Sequence, residues 1–128
     1  MEDIQQYNFT VKSNIHDYEV HFIDNVKSTL ENELKEGDFI IIDNKVKALY
    51  PEWFEEVLTN FKHIGINATE PQKSYQEVEP VINELIEKGF RKNHRLIAVG
   101  GGITQDVTAF IASILYRGVQ WYFFPTTL

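Results

Sequence analysis

The chain has 128 residues, 43% of them hydrophobic and 24% charged, a composition and length suited to one soluble domain that buries about two thirds of its unfolded surface. Its formal net charge of −7 argues against nucleic acid and against an anionic membrane surface, because both partners need clustered Lys and Arg. With no cysteine it has no disulfides, no thiolate metal site and no cysteine nucleophile.

In chain order, Met1-Glu2-Asp3-Ile4-Gln5-Gln6 lacks the basic and apolar regions of a signal peptide, and no stretch reaches the apolar length of a membrane span, so a cytoplasmic protein is expected. Tyr7 to Ser13 and Tyr18 to Ile23, separated by Asn14-Ile15-His16-Asp17, predict an antiparallel hairpin. Asp24-Asn25 caps a short helix with the apolar line Val26, Leu30 and Leu34, closed by Gly37. Asp38 to Asp43 predicts a parallel-type strand, apolar on both faces, ending in the polar turn Asp43-Asn44-Lys45. Trp53, Phe54, Val57, Leu58 and Phe61 fall at helical spacing and read as core packing. His63 to Ala68 predicts a short strand running into Thr69-Glu70-Pro71-Gln72-Lys73. Ser74 with Glu77 forms a capping box for a helix carrying Val78, Val81, Ile82, Leu85 and Ile86 and stopping at Gly89. Arg91 to Arg95 reads as a solvated polar connector.

Leu96-Ile97-Ala98-Val99 then predicts a buried strand, Gly100-Gly101-Gly102 a tight turn, and Val107, Phe110, Ile111, Ile114 and Leu115 the apolar face of a helix ending at Tyr116-Arg117-Gly118. Val119 to Phe124 predicts a last buried strand. From Asp38 onward, strands and helices alternate, which implies a Rossmann-like open, mostly parallel sheet with helices on both faces, preceded by the hairpin. In such sheets the ligand crevice lies outside the carboxyl ends of the strands. Those ends carry Asp43, Glu70 with Lys73, Gly100 to Asp106, and Thr126-Thr127. Strand, glycine turn and helix together allow backbone N–H groups to approach a phosphate, although a plain strand-to-helix turn also uses glycine. Asp106, in the first helical turn on this reading, either complements the helix dipole or faces a ligand. The glycine run is neither the dinucleotide fingerprint, whose third glycine would fall at Gln105, nor a P-loop. His16, His21, His63 and His94 show no ligand spacing, so a metal site within the chain is not expected.

Gly100-Gly101-Gly102-Ile103-Thr104-Gln105-Asp106, with Phe110, Ala112-Ser113, Arg117-Gly118 and Pro125-Thr126-Thr127-Leu128, resembles the signature of the 3-dehydroquinate synthases and their sugar-phosphate cyclase relatives. Iron-type alcohol and glycerol dehydrogenases share the glycines, the aspartate and a Pro-Thr-Thr. They usually place Ala-Lys after the aspartate, where this chain has Val107-Thr108-Ala109-Phe110. The resemblance implies an NAD-binding domain spanning 1–128, with Asp43 on the adenosine ribose and Glu70 and Lys73 at the adenosine end. Gly101, Gly102 and Asp106 would hold the pyrophosphate and nicotinamide ribose, with Ile103, Thr104 and Gln105 in the same run, and Thr126 and Thr127 would line the cleft. Arg117 would reach a substrate phosphate in a neighbouring subunit, which implies a homodimer.

The family's chemistry, as the resemblance implies, cyclises 3-deoxy-arabino-heptulosonate 7-phosphate with phosphate elimination, using bound NAD and a divalent metal, zinc or cobalt. The metal ligands and most substrate contacts belong to a helical C-terminal domain beyond Leu128. The 128 residues are therefore expected to be a fragment that binds NAD weakly at best and does not turn over substrate. Gln105 stands where the family usually has glycine, as does Thr69; Lys45 stands where Asn is usual, and Ala109 where glycine is frequent. These departures suggest a divergent subgroup. Gln105 would either hinder the cofactor or add a hydrogen bond to it. A dehydrogenase half, or a nucleotide-binding module without catalysis, are the competing readings.

Overall fold

The computed structural model describes residues 9–11, 18–20, 23 and 25–126. The chain divides into two compact units, 1–33 and 34–128. In the first, β1 (Phe9–Val11) pairs antiparallel with β2 (Tyr18–Val20), Thr10 facing Glu19. The turn expected at 14–17 lies outside the described residues. Helix α1 (Val26–Glu33) starts where the Asn25 side chain accepts the Ser28 N–H at 2.9 Å, the cap expected of this residue type.

The helix stops at Glu33, before the expected closure at Gly37. Asp38 Oδ2 accepts the Lys35 N–H at 2.8 Å, and the Asp38 N–H donates to the Lys35 carbonyl at 3.0 Å, so this segment turns back on itself. Gly37 sits inside that turn at φ +91°, with the His94 ring 2.5 Å from where a Cβ would lie. Both facts require glycine there.

The second unit is a four-stranded parallel sheet in the order β4-β3-β5-β6: β3 (Phe39–Asp43), β4 (Lys62–Ile66), β5 (Arg95–Gly100) and β6 (Gln120–Pro125). Two helices, α2 (Asn44–Leu49) and α3 (Pro51–Asn60), connect β3 to β4. Helix α4 (Tyr75–Glu87) carries the chain back across β3 to β5, and α5 (Gly102–Ile114) continues outward to β6. Because the direction reverses between β4 and β5, right-handed crossovers put α3 on one face and α4 with α5 on the other. Alternation along the strands matches. Phe39, Ile41, Ile64, Ile66 and Leu96 form one core with Val78, Val81 and Leu85 of α4, Val107 and Ile111 of α5, and Leu115 just past its end. Ile40, Ile42, Ile97 and Val99 point the other way and are as deeply buried, as are Phe54 and Val57 of α3.

Helix α4 begins where Ser74 Oγ accepts the Glu77 N–H at 3.3 Å, one half of the expected capping box, while the Ser74 N–H donates to the Pro71 carbonyl at 3.1 Å. It ends in a Schellman motif: Phe90 N–H donates to Leu85 and Gly89 N–H to Ile86, with Gly89 at φ +87° and Phe90 buried.

Several expectations are corrected. The polar turn expected at Asp43-Asn44-Lys45 is instead the start of a helix over Asn44–Leu49, because Asp43 caps it by accepting the Lys45 N–H at 2.9 Å. β4 ends at Ile66, two residues earlier than expected. β6 is a half-exposed edge strand rather than a buried one, since no strand among the described residues pairs beyond it. Phe110 and Ile114 lie on the outer side of α5, 41% and 45% exposed, where their spacing had suggested burial.

Arg95, expected in a solvated connector, opens β5 and meets Asp38 in a two-pronged pair, Nε to Oδ1 at 2.9 Å and Nη2 to Oδ2 at 2.6 Å. The Asp38 side chain is 2% exposed and Arg95 13%. The guanidinium also lies 4.6 Å from the centre of the Tyr122 ring. Asp38 raises the Arg95 pKa above its ordinary value, so the cation's contribution is fully present at neutral pH and is lost only at extreme alkalinity. This pair ties β3, β5 and β6 together at the amino edge of the sheet. Asp38→Ala removes the carboxylate that meets both prongs of this mostly buried guanidinium and is expected to cost about 3–5 kcal/mol in urea unfolding. A loss under about 1 kcal/mol, the value of an exposed pair, would show the pair to be incidental.

Candidate functional site

All four strands of the second unit run in one direction, so their carboxyl ends share one edge. The reversal of the chain's course places a topological switch point between β3 and β5, where a crevice opens in sheets of this kind. Asp43 ends one of these strands and Gly100 the other. Gly100 has φ +156°, and a Cβ there would lie 2.5 Å from Thr104 Oγ1 and 3.1 Å from Asp43 Cβ. Only glycine lets the end of β5 pass between those two residues.

Gly101 then caps α5 in extended conformation without a side-chain hydrogen bond, and the first helical bond runs from the Gln105 N–H to the Gly101 carbonyl at 3.1 Å. The N–H groups at the start of α5 therefore have no partner within the helix, and the positive end of its dipole faces the edge. Around Gly102 a Cβ would meet nothing within 4 Å, so the helix begins beside open space. Thr104 is fully buried, and its Oγ1 has no hydrogen-bond partner among the described residues. At the neighbouring strand end the Thr126 N–H donates to the Gly100 carbonyl at 2.9 Å, while Thr126 Oγ1 is likewise buried and unpartnered. Two orphaned hydroxyls thus flank one glycine turn. Buried polar groups without partners are uncommon, and ligand contact is one way to satisfy them.

Beyond β4, Glu70 to Lys73 form a short 3₁₀ turn packed against α5. Glu70 is exposed on it. The side chain of Lys73, and all of Thr127, lie outside the described residues. Asp43 uses Oδ1 as the cap of α2, which leaves its second oxygen available to a ligand.

The structure brings Asp43, Gly101, Gly102, Thr104 and Thr126 to one edge, with Glu70 beside them. Ile103 turns inward against the core, so only its backbone can serve the site. Gln105 is half-buried. Asp106 is the fifth residue of α5 and exposed, past the first turn, which removes the reading of it as a first-turn dipole partner. Arg117 is not brought here. It lies past the far end of the thirteen-residue α5, about 20 Å from the glycine turn at 1.5 Å per residue. Tyr116 and Arg117 hold positive φ (49° and 67°) ahead of Gly118 at 111°. The Tyr116 hydroxyl donates to the Phe90 carbonyl at 2.9 Å and Lys92 Nζ to the Tyr116 carbonyl at 2.7 Å, fixing that turn.

Sequence reasoning missed Asn44. Its amide lies on Gly65 of β4, 1.9 Å from where a Cβ would sit, and its Nδ2 donates to Asn67 Oδ1 at 3.1 Å. A lone glycine within a strand was the available signal, because it marks close approach by another group. Among the described residues no three His, Asp or Glu side chains gather as a metal site.

A family model described as 3-dehydroquinate synthase N-terminal matches residues 63–128. The 3-dehydroquinate synthase of Buchnera aphidicola subsp. Cinara cedri is 37% identical over 87 residues, covering 68% of this chain and 24% of that protein. That of Streptococcus pyogenes serotype M3 is 33% identical over 125 residues, 92% of this chain and 35% of its own length. The chain thus spans about a quarter to a third of the curated relatives it matches. Among solved structures, 2-deoxy-scyllo-inosose synthase complexed with carbaglucose-6-phosphate, NAD+ and Co2+ superimposes with a TM-score of 0.76 at 20% identity, over 93% of this chain and 35% of that one, and so shares the fold. The 2-epi-5-epi-valiolone synthase of Streptomyces hygroscopicus subsp. jinggangensis 5008, with NAD+ and Zn2+ bound, superimposes with a TM-score of 0.63 at 29% identity, over 70% of this chain and 26% of that one. A parallel sheet with a glycine turn at its switch point, together with a family match running from His63 to the last residue, makes this chain a member of the 3-dehydroquinate synthase N-terminal family.

Proposed function

We propose that residues 1–128 form the NAD-binding part of a cytoplasmic sugar-phosphate cyclase acting on 3-deoxy-arabino-heptulosonate 7-phosphate. The observation that carries this reading is the start of α5, where uncapped N–H groups, open space at Gly102 and two orphaned threonine hydroxyls meet at the switch point. That arrangement suits a dinucleotide pyrophosphate, whose charge the helix dipole favours and whose bulk a Cβ would obstruct.

On this reading the backbone N–H groups of Gly101, Gly102 and Ile103 bind the pyrophosphate. Asp43 accepts from a hydroxyl of the adenosine ribose, with Glu70 and Lys73 beyond it. Thr126 and Thr127 line the nicotinamide side with Thr104, and Asp106, one turn into α5, takes the nicotinamide ribose beside Gln105. Bound NAD supplies reversible hydride acceptance from an alcohol carbon, which acidifies the neighbouring C–H and permits loss of phosphate. The protein's own task at this edge is to bind the dinucleotide and orient it. The divalent metal, for which the Co2+ and Zn2+ bound by the structural relatives are the guide, would take its ligands from outside these residues, as the family resemblance implies. Arg117, too distant for this crevice, offers its planar guanidinium to the substrate phosphate of a second copy in a homodimer.

The two glycines separate folding from binding. Gly100→Ala, with a Cβ driven against Thr104 and Asp43, is expected to destabilise the fold by several kcal/mol, in the range of overpacked or strained sites. Gly102→Ala is expected to leave the melting temperature unchanged or slightly raised while weakening NAD binding by roughly tenfold in calorimetric titration. Equal NAD affinity for wild type and Gly102→Ala would contradict the site. In an enzyme carrying this chain, release of inorganic phosphate from 3-deoxy-arabino-heptulosonate 7-phosphate tests the substrate. Release from sedoheptulose 7-phosphate instead would move it to another branch of the cyclases.

A further inference from the structure

We infer that Asn44 and Asn67, seated on Gly65, are positioning residues that set the adenosine wall of the crevice, an assignment that rests on the NAD reading above. β3 and β4 are in register as far as Asp43 and Ile66, and there the ladder ends. The next residue on each strand is an asparagine. Asn44 Nδ2 donates to Asn67 Oδ1 at 3.1 Å, which carries the link between the two segments one residue past the last backbone pair. Gly65 makes this possible. Any side chain there would occupy the place of the Asn44 amide, whose Oδ1 stands 1.9 Å from an ideal Cβ position. Gly65 has no unusual φ, so it is space rather than backbone conformation that favours glycine, and a methyl group there would push the Asn44 amide aside.

The residues joined in this way sit next to the groups that would face the adenosine end. Asn44 follows Asp43 directly and is the first residue of α2, while Asn67 precedes the Thr69-Glu70 entry to the 3₁₀ turn. Asp43 already spends Oδ1 on the α2 cap, so the orientation of its second oxygen depends on how α2 leaves the strand. The amide bridge fixes that departure relative to the segment bearing Glu70. Both asparagines are at least partly open to solvent, so the bridge is a small contributor to global stability, worth about 0.5–1.5 kcal/mol. Its consequence is geometric.

Two variants break the bridge from opposite sides. Asn67→Ala removes the acceptor. Gly65→Ala leaves both asparagines in place and displaces the Asn44 amide, the movable end of a side chain. Affinities of the chain for AMP and for nicotinamide mononucleotide, by ligand-observed NMR, report the two ends of the crevice separately. Each variant is expected to weaken AMP about fivefold with nicotinamide mononucleotide affinity unchanged, and to lower the melting temperature only by the few degrees that a bridge of this strength is worth. Unchanged AMP affinity in both variants overturns the inference. So does equal weakening of both ligands, since that is the mark of a purely structural bridge. Failure of the wild-type chain to bind either nucleotide even at high millimolar concentration, where weak binding by these residues would still register, overturns the NAD reading itself, and the assignment with it.

Discussion

The end of β5 passes between Asp43 and Thr104 with no room for a side chain, and the rest of the carboxyl edge follows from that approach. Because Gly100 can hold φ +156° in the gap, the chain turns into α5 at once and the helix starts at the switch point rather than beyond it. The same carbonyl receives the Thr126 N–H, so the end of β6 is drawn to the turn as well. A single residue without a Cβ therefore gathers β3, β5, β6 and the start of α5. Gly102 plays the opposite part, since it leaves space unfilled where Gly100 closes it.

The two edges of the sheet differ in kind. At the amino edge, Asp38 and Arg95 form a buried, two-pronged pair with Tyr122 against the guanidinium, so the polar groups there are matched to one another. At the carboxyl edge, α5 has no side-chain cap and two hydroxyls stay unpartnered among the described residues. Buried polar groups are ordinarily satisfied, so the asymmetry separates the edge that holds the strands together from the edge that suits a ligand. Arg117, clamped in a left-handed turn at the amino side, belongs to neither network. That position fits the proposed role toward a second copy.

Features written in local chemistry were legible in the sequence. The Ser74–Glu77 box, the Gly89 stop, the Asn25 cap and the apolar spacing of α4 each depend on residues within a few positions of one another. So does the strand, glycine turn and helix around Gly100, although sequence could not say which glycine is required for packing and which leaves room. What escaped reading involves distant partners. Asp38 and Arg95 are 57 positions apart, and each taken alone resembles an ordinary polar residue at a strand boundary. Asn44 and Asn67 are 23 apart, and the first was hidden in what looked like a polar turn because Asp43 was not recognised as a helix cap. Phe110 and Ile114 show the limit of periodicity: a helix rich in apolar residues presents more than one apolar line, and only the sheet decides which line is buried. The exposed character of β6 is a matter of strand order, which its own apolar residues do not encode.

The central claim is that the crevice at the β3–β5 switch point receives a dinucleotide. Titration of the isotopically labelled chain with NAD, read from backbone amide resonances, tests it most directly. The account predicts shifts concentrated at residues 43–45, 100–106 and 126, with Arg95 and Trp121 at the far edge unmoved. Shifts gathered instead on the α2–α3 side, around Lys47, Glu55, Thr59 and His63 where a surface depression lies, would contradict it.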